Sequence, residues 1–179
     1  MRRREFIGLV GGAAATWPSG ALAQQRDQPR RIGVLMGFSE TDEVWQTYLR
    51  VLRERLHDFG WADGRNVKFE YRFPGESAER TRVAASELIA GKPDVLFVST
   101  NPAVSALLRE TRAIPIVFTW VSDSVGSGYV SSLAHPGGNV TGSTITSLLL
   151  EENGWGFSSR LHRRFVALVW CTFRKSPRI

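Results

Sequence analysis

Between Arg31 and Thr144, short apolar runs alternate with longer stretches whose apolar residues recur at helical spacing. Few folds accommodate that order. Arg31 to Met36 is short and rich in branched residues, as a buried strand is. A loop over 37–42 follows, then a helix to about Phe59 with Val44, Tyr48, Val51, Leu52, Leu56 and Phe59 on one face. Gly60 ends it as a C-terminal cap. Asn66 to Arg72 alternates polar and apolar, as in a strand with one less buried face. Ser77 begins a second helix carrying Val83, Ala84, Leu88 and Ile89, stopped by Gly91 and Pro93. Asp94 to Val98 is a third strand. Asn101-Pro102 starts a third helix, with Asn as the cap and Pro in the first turn, running to about Arg112. Ile114 to Trp120 supplies a fourth strand, 128–134 a short helix, 135–139 a turn, and 140–144 a last strand.

Strand and helix alternating through short connections predict an α/β fold: a doubly wound parallel sheet, Rossmann-like, with helices on both faces. Ligands of such sheets bind outside the carboxyl ends of the strands, where strand order reverses. That rule selects the loops 37–42, 99–101 and 121–127.

The flanking segments read differently. Residues 1–23 order as an export signal: Arg2, Arg3 and Arg4, an apolar stretch from Phe6 to Ala15, then Ala21-Leu22-Ala23 as a cleavage site. The apolar stretch is too short to span a bilayer, which takes about 20 residues. Arg3-Arg4-Glu5-Phe6-Ile7 suits a twin-arginine signal and an ordinary Sec signal alike. Residues 24–30 form a flexible polar leader, and the expected location is the periplasm, without stable membrane insertion.

The net charge of +6 divides unevenly: +2 in 1–23, −1 in 24–151 and +5 in 152–179. A nearly neutral body offers no basic face for phosphates, so no nucleic-acid partner is expected. Cys171 is the single cysteine, which excludes an intramolecular disulfide. His57, His135 and His162 have no ligand spacing, and no metal or cofactor is expected.

No glycine loop of dinucleotide or Walker type follows the first strand, and no nucleophile elbow occurs. His135-Pro-Gly-Gly138 reads as a surface turn. Nothing singles out Asp123, His135 and a serine as a triad, so no catalytic residue is assigned. The free N–H groups at the start of the third helix, beside Thr100 and Asn101, favour a carboxylate or similar anion. Asn101 equally suits a role confined to capping its own helix. Asp123 suits either a ligand amine or a turn cap. Phe38, Trp120 and Tyr129 suit either a flat ligand or the core.

At these positions the chain resembles the periplasmic solute-binding proteins of ABC importers, in the tryptophan or sugar-type branch. The matching segments include RRIGVLMG, LRERLHDFGWADGRNVKFEYRF, KPDVLFVST with NPAVSALL, and VSDSVGSGYVSSLAHPGGNVTG. The resemblance covers about Met1 to Glu151 and implies a type I periplasmic-binding-protein lobe over 31–151. It implies that Phe38, Ser39, Thr100, Asn101 and Asp123 line the binding wall for a small amino acid or sugar-like solute. It also implies a second lobe and an ABC permease as partner. Ser124 stands where the family commonly has proline, which bears on the rigidity of that loop. From 152 to 179 the resemblance stops and helical periodicity fails. A shifted reading frame there can encode a helix and strand of the family's kind, so the expectation is a frameshift that leaves a truncated, impaired binder; a genuine basic tail is the alternative. Other functions open to such a chain are a small secreted α/β hydrolase and a regulatory lobe that docks on a partner.

Overall fold

The computed structural model describes residues 28–144. The export signal at 1–23, most of the leader at 24–30, the last positions of the expected lobe and the tail at 152–179 lie outside the described residues. The elements are β1 (Arg30–Leu35), α1 (Glu43–Asp58), β2 (Val67–Arg72), α2 (Ala78–Ala90), β3 (Val95–Ser99), α3 (Asn101–Glu110), β4 (Ile116–Val121) and β5 (Val140–Thr144). The five strands form one sheet in the order β2-β1-β3-β4-β5, and every pairing is parallel. Strand order reverses between β1 and β3, so the loops leaving these neighbours diverge to opposite faces and open a crevice at their carboxyl ends.

Two apolar clusters sandwich the sheet. On one face α1 buries Trp45, Tyr48, Leu49, Leu52 and Leu56 against Ile32, Val34, Phe97 and Val117. On the other, α2 and α3 bring Ala84, Leu88, Val104 and Leu107 onto Leu96, Val98, Ile116 and Phe118. Helices therefore cover both faces, as the doubly wound reading requires. The three inner strands read as continuous apolar runs because both their faces are covered.

Each helix start has a local cause. Asp42 Oδ1 accepts from the N–H groups of Val44 at 3.0 Å and Trp45 at 3.4 Å, satisfying orphan donors of α1. Ser77 Oγ accepts from Arg80 N at 3.3 Å and does the same for α2. Gly60, at φ +87°, takes the left-handed position after α1, where a Cβ would be strained. After α2 that position falls on Lys92, at φ +51°, and Gly91 stays right-handed.

Three sequence expectations need correction. Segment 128–134 is not a helix: it is turns and bends, and Gly128 at φ +72° interrupts any helical run. The α1 face keeps the expected Tyr48, Leu52 and Leu56 in the core but differs at its ends. Val44 is 64% exposed and Phe59 48%, while Trp45 and Leu49 take the core. Similarly Val83 of α2 is 47% exposed, and Thr81 and Ala85 are buried in its stead. Third, Asn101 does not cap α3. The cap position belongs to Thr100, and among the described residues its side chain makes no cap hydrogen bond.

Candidate functional site

Gly37, just past β1, packs directly against the residue that follows β3. Its N–H donates to Ser99 Oγ at 3.2 Å, and a Cβ on it would fall 2.4 Å from Thr100 Oγ1. Only glycine lets the two loops touch. Thr100 has φ +77° and ψ 148°, a conformation close to glycine's own and costly for a β-branched residue, by about 1–3 kcal/mol. The strained turn delivers α3 with an uncapped N-terminus at the carboxyl edge of the sheet.

Asn101 is committed elsewhere. Its Nδ2 donates to Ser122 O at 2.9 Å and Ser127 Oγ at 3.4 Å, and its Oδ1 accepts from Ser122 N at 3.1 Å and Ser122 Oγ at 3.2 Å. The amide thus ties α3 to the loop after β4. The Tyr129 hydroxyl reinforces the tie by donating to Asn101 O at 3.1 Å, and it lies 2.7 Å from Ser105 Oγ. Asp123, at φ +42°, accepts from Gly126 N at 2.8 Å through Oδ1, so it closes its own turn at this edge. Ser39 Oγ pairs with Thr41 Oγ1 at 2.9 Å in the loop leading into α1.

Aromatic rings form the α1 side of the edge. Phe38 stacks on Trp45 with centroids 4.0 Å apart and planes 11° apart, and Trp45 meets Trp120 edge-on at 5.3 Å. Below them the Tyr48 hydroxyl donates to Thr119 Oγ1 at 3.2 Å. Burial pushes the Tyr48 phenol up to about 12, only partly offset by that hydrogen bond, so it stays neutral and donates.

Trp120 breaks the alternation of its strand. Thr119 faces α1 through Tyr48, so a regular strand would turn the next residue to the α2–α3 face. Trp120 instead packs on the α1 cluster with φ +53°. The β4–β5 register shifts between Phe118 and Val121, a bulge that re-aims the side chain. Close approach at Gly142 accompanies it: a Cβ there would lie 2.1 Å from Phe118 O.

All five residues expected at the site, Phe38, Ser39, Thr100, Asn101 and Asp123, lie on three neighbouring loops at the carboxyl edge. What they present differs from their sequence-level promise: Thr100 contributes strain and an uncapped helix, and Asn101 and Asp123 contribute loop closure. The pattern alone did not single out Trp45 or the pair Ser122 and Ser127. Trp45 carries a signal, since it stands one residue from Val44 at the start of the apolar stripe. His135 lies in the turn leading into the amino end of β5, where Asn139 Nδ2 donates to Ile114 O at 2.7 Å. It stands apart from Asp123 at the other end of the sheet, and no triad forms between them. Among the described residues no cluster of metal-ligating side chains occurs, and no helix is long and apolar enough to cross a membrane.

Known proteins resemble this chain in sequence and fold. The family described as ABC transporter substrate binding protein matches residues 36–152. A tyrosine-binding protein of Clostridioides difficile (strain R20291) is 36% identical over 89 residues, half of this chain and 26% of that protein. A Streptococcus pneumonia protein solved in complex with L-Trp superposes with a TM-score of 0.59 at 25% identity, over 65% of this chain and 39% of that one. A ligand-free, open substrate binding protein with adhesive properties from Clostridium difficile gives 0.59 at 26% identity, over 68% and 42%. A conserved domain protein from Vibrio cholerae gives 0.60 at 30% identity, over 64% and 38%. The chain therefore spans about a quarter of the curated relative's length and about two fifths of the solved ones. The match over 36–152 shows that the chain belongs to the ABC transporter substrate binding protein family.

Proposed function

We propose that residues 31–151 are one lobe of an exported binding protein that captures an amino acid with an aromatic side chain and presents it to an ABC permease. The observation that carries this reading is the uncapped start of α3, held at the strand-order reversal by the strained Thr100. Its N–H groups and the positive end of the helix suit a carboxylate. Phe38 stacks on Trp45 by one face, and its other face suits the flat ring of the same ligand. The named ligands of the relatives, tyrosine and L-Trp, combine those two groups.

In this reading Ser39, Thr100 and Asp123 are the polar neighbours of that ligand, and the Asp123 carboxylate suits its ammonium group. Asn101 acts by holding the edge together. Binding without chemistry fits the relatives, which are binding proteins. The export signal read at 1–23 fits delivery to the periplasm, and neither a metal nor a cofactor is required.

Calorimetry on the 179-residue chain tests the reading. L-tyrosine and L-tryptophan are expected to give saturable heats, and glucose, ribose and L-alanine none at the same concentrations. Saturable binding of a sugar with no response to either aromatic amino acid would overturn it.

A further inference from the structure

The reading above leaves one buried donor unexplained. Trp120 Nε1 is shielded from solvent and has no hydrogen-bond partner among the described residues. Buried indole N–H groups ordinarily find an acceptor. Here the backbone adopts φ +53° and the β4–β5 ladder is interrupted, and the result is an indole packed on the α1-side cluster with its donor unused. Core filling does not account for this. A regular strand would have placed the ring on the α2–α3 face without a bulge or a left-handed residue.

The ring's surroundings say what the donor serves. Its neighbours on the α1 side are Trp45, which it meets edge-on, and Phe38 stacked beyond. The β3–β4 register aligns Ser99 with Thr119, so Thr100 and Trp120 each follow directly on the last paired residues of adjacent strands. In the pose proposed here, a ligand with its carboxylate at the start of α3 extends its side chain toward Trp120. We propose that Trp120 is the specificity-determining residue of the site: its indole N–H donates to an oxygen on the ligand's aromatic ring, selecting a phenol over an unsubstituted ring. The proposal rests on an aromatic amino acid being the ligand, and it adds the group that tells one such ligand from another.

The test pairs two ligands with two proteins. L-tyrosine and L-phenylalanine, which differ by the ring hydroxyl alone, are titrated into the full chain and into Trp120→Phe, followed by ¹⁵N-detected amide and indole signals. One hydrogen bond corresponds to roughly three- to tenfold in affinity. The wild-type chain is expected to prefer tyrosine by that factor, and its Trp120 indole signal, identified by its loss in Trp120→Phe, is expected to shift with tyrosine only. Trp120→Phe is expected to bind both ligands equally, with a thermal midpoint no lower than wild type, because it loses an unsatisfied donor and keeps a ring.

If tyrosine shifts the amides of Thr100 and Ala103 and the preference survives in Trp120→Phe, the proposal fails and the aromatic amino-acid reading stands. If tyrosine binds with no preference over phenylalanine in the wild-type chain, the proposal fails likewise. If neither ligand shifts any signal at the edge, both fall together.

Discussion

Gly142→Ala offers a sharp test of how β4 and β5 are held. The added Cβ would sit 2.1 Å from Phe118 O and 2.6 Å from Phe118 Cγ, whereas real Cβ atoms essentially never approach within 3.0 Å. The nearest obstacle is backbone of a fully buried residue, so no rotamer change relieves it. Either the strands separate by about 1 Å or β5 peels away, and overpacking of this kind costs about 3 kcal/mol. With a urea dependence of about 1.5 kcal/mol per molar, the midpoint should fall by roughly 2 M at unchanged slope. Gly33→Ala is the internal control. Its Cβ meets Leu96 Cδ2 at 2.8 Å, the mobile end of a side chain, so its loss should stay below about 1 kcal/mol. Urea unfolding followed by far-ultraviolet circular dichroism measures both. Equal midpoints for the two variants would refute the steric argument, and with it the account of the bulge that turns Trp120.

Other perturbations address single groups. The folded-state Tyr48 phenol lies at about 12 against 10.0 unperturbed, so its contribution is complete below pH 10 and is lost as pH rises from 10 through 12. That contribution is roughly 2–3 kcal/mol, and Tyr48→Phe should flatten the alkaline fall in a pH series of melts. Ser124 is fully buried and its hydroxyl has no partner among the described residues, so Ser124→Ala should gain about 1 kcal/mol, or roughly 4 °C in the thermal midpoint. A loss would mean that the hydroxyl has a partner. Asn101→Ala should cost about 1.5 kcal/mol in the same melts. Ser122→Ala on top should add less than it does alone, because the two residues share one network.

How much of this was legible in the residues follows from the physics of each element. The inner strands announce themselves because burial on two faces demands unbroken apolar runs, and Val95-Leu-Phe-Val98 is such a run. The helix ends were legible at Ser77 and Gly60, whose chemistry is local. The face of α1 was legible at Tyr48, Leu52 and Leu56 but not at its first turn. Val44 and Trp45 both stand three or four residues before Tyr48, and only the sheet decides which one turns inward.

The loop after β4 misled for a related reason. Tyr129, Val130 and Leu133 fall at helical spacing. However, Tyr129 is drawn to Asn101 and Ser105, and Gly128 adopts a left-handed turn. Asn101-Pro102 reads as a cap from sequence because Asn is a good local acceptor. The carbonyl and N–H of Ser122, 21 residues away, compete for its amide and win. The bulge at Trp120 depends on contact between Phe118 and Gly142, and no window of sequence contains both the cause and the effect.

Amide shift mapping with L-tyrosine on the ¹⁵N-labelled chain tests most directly whether the carboxyl edge is the solute wall. The account predicts shifts gathered at 37–42, 99–103 and 120–127, with the opposite edge around Arg30, Glu70 and Asp94 unmoved. Shifts confined to that opposite edge would contradict it.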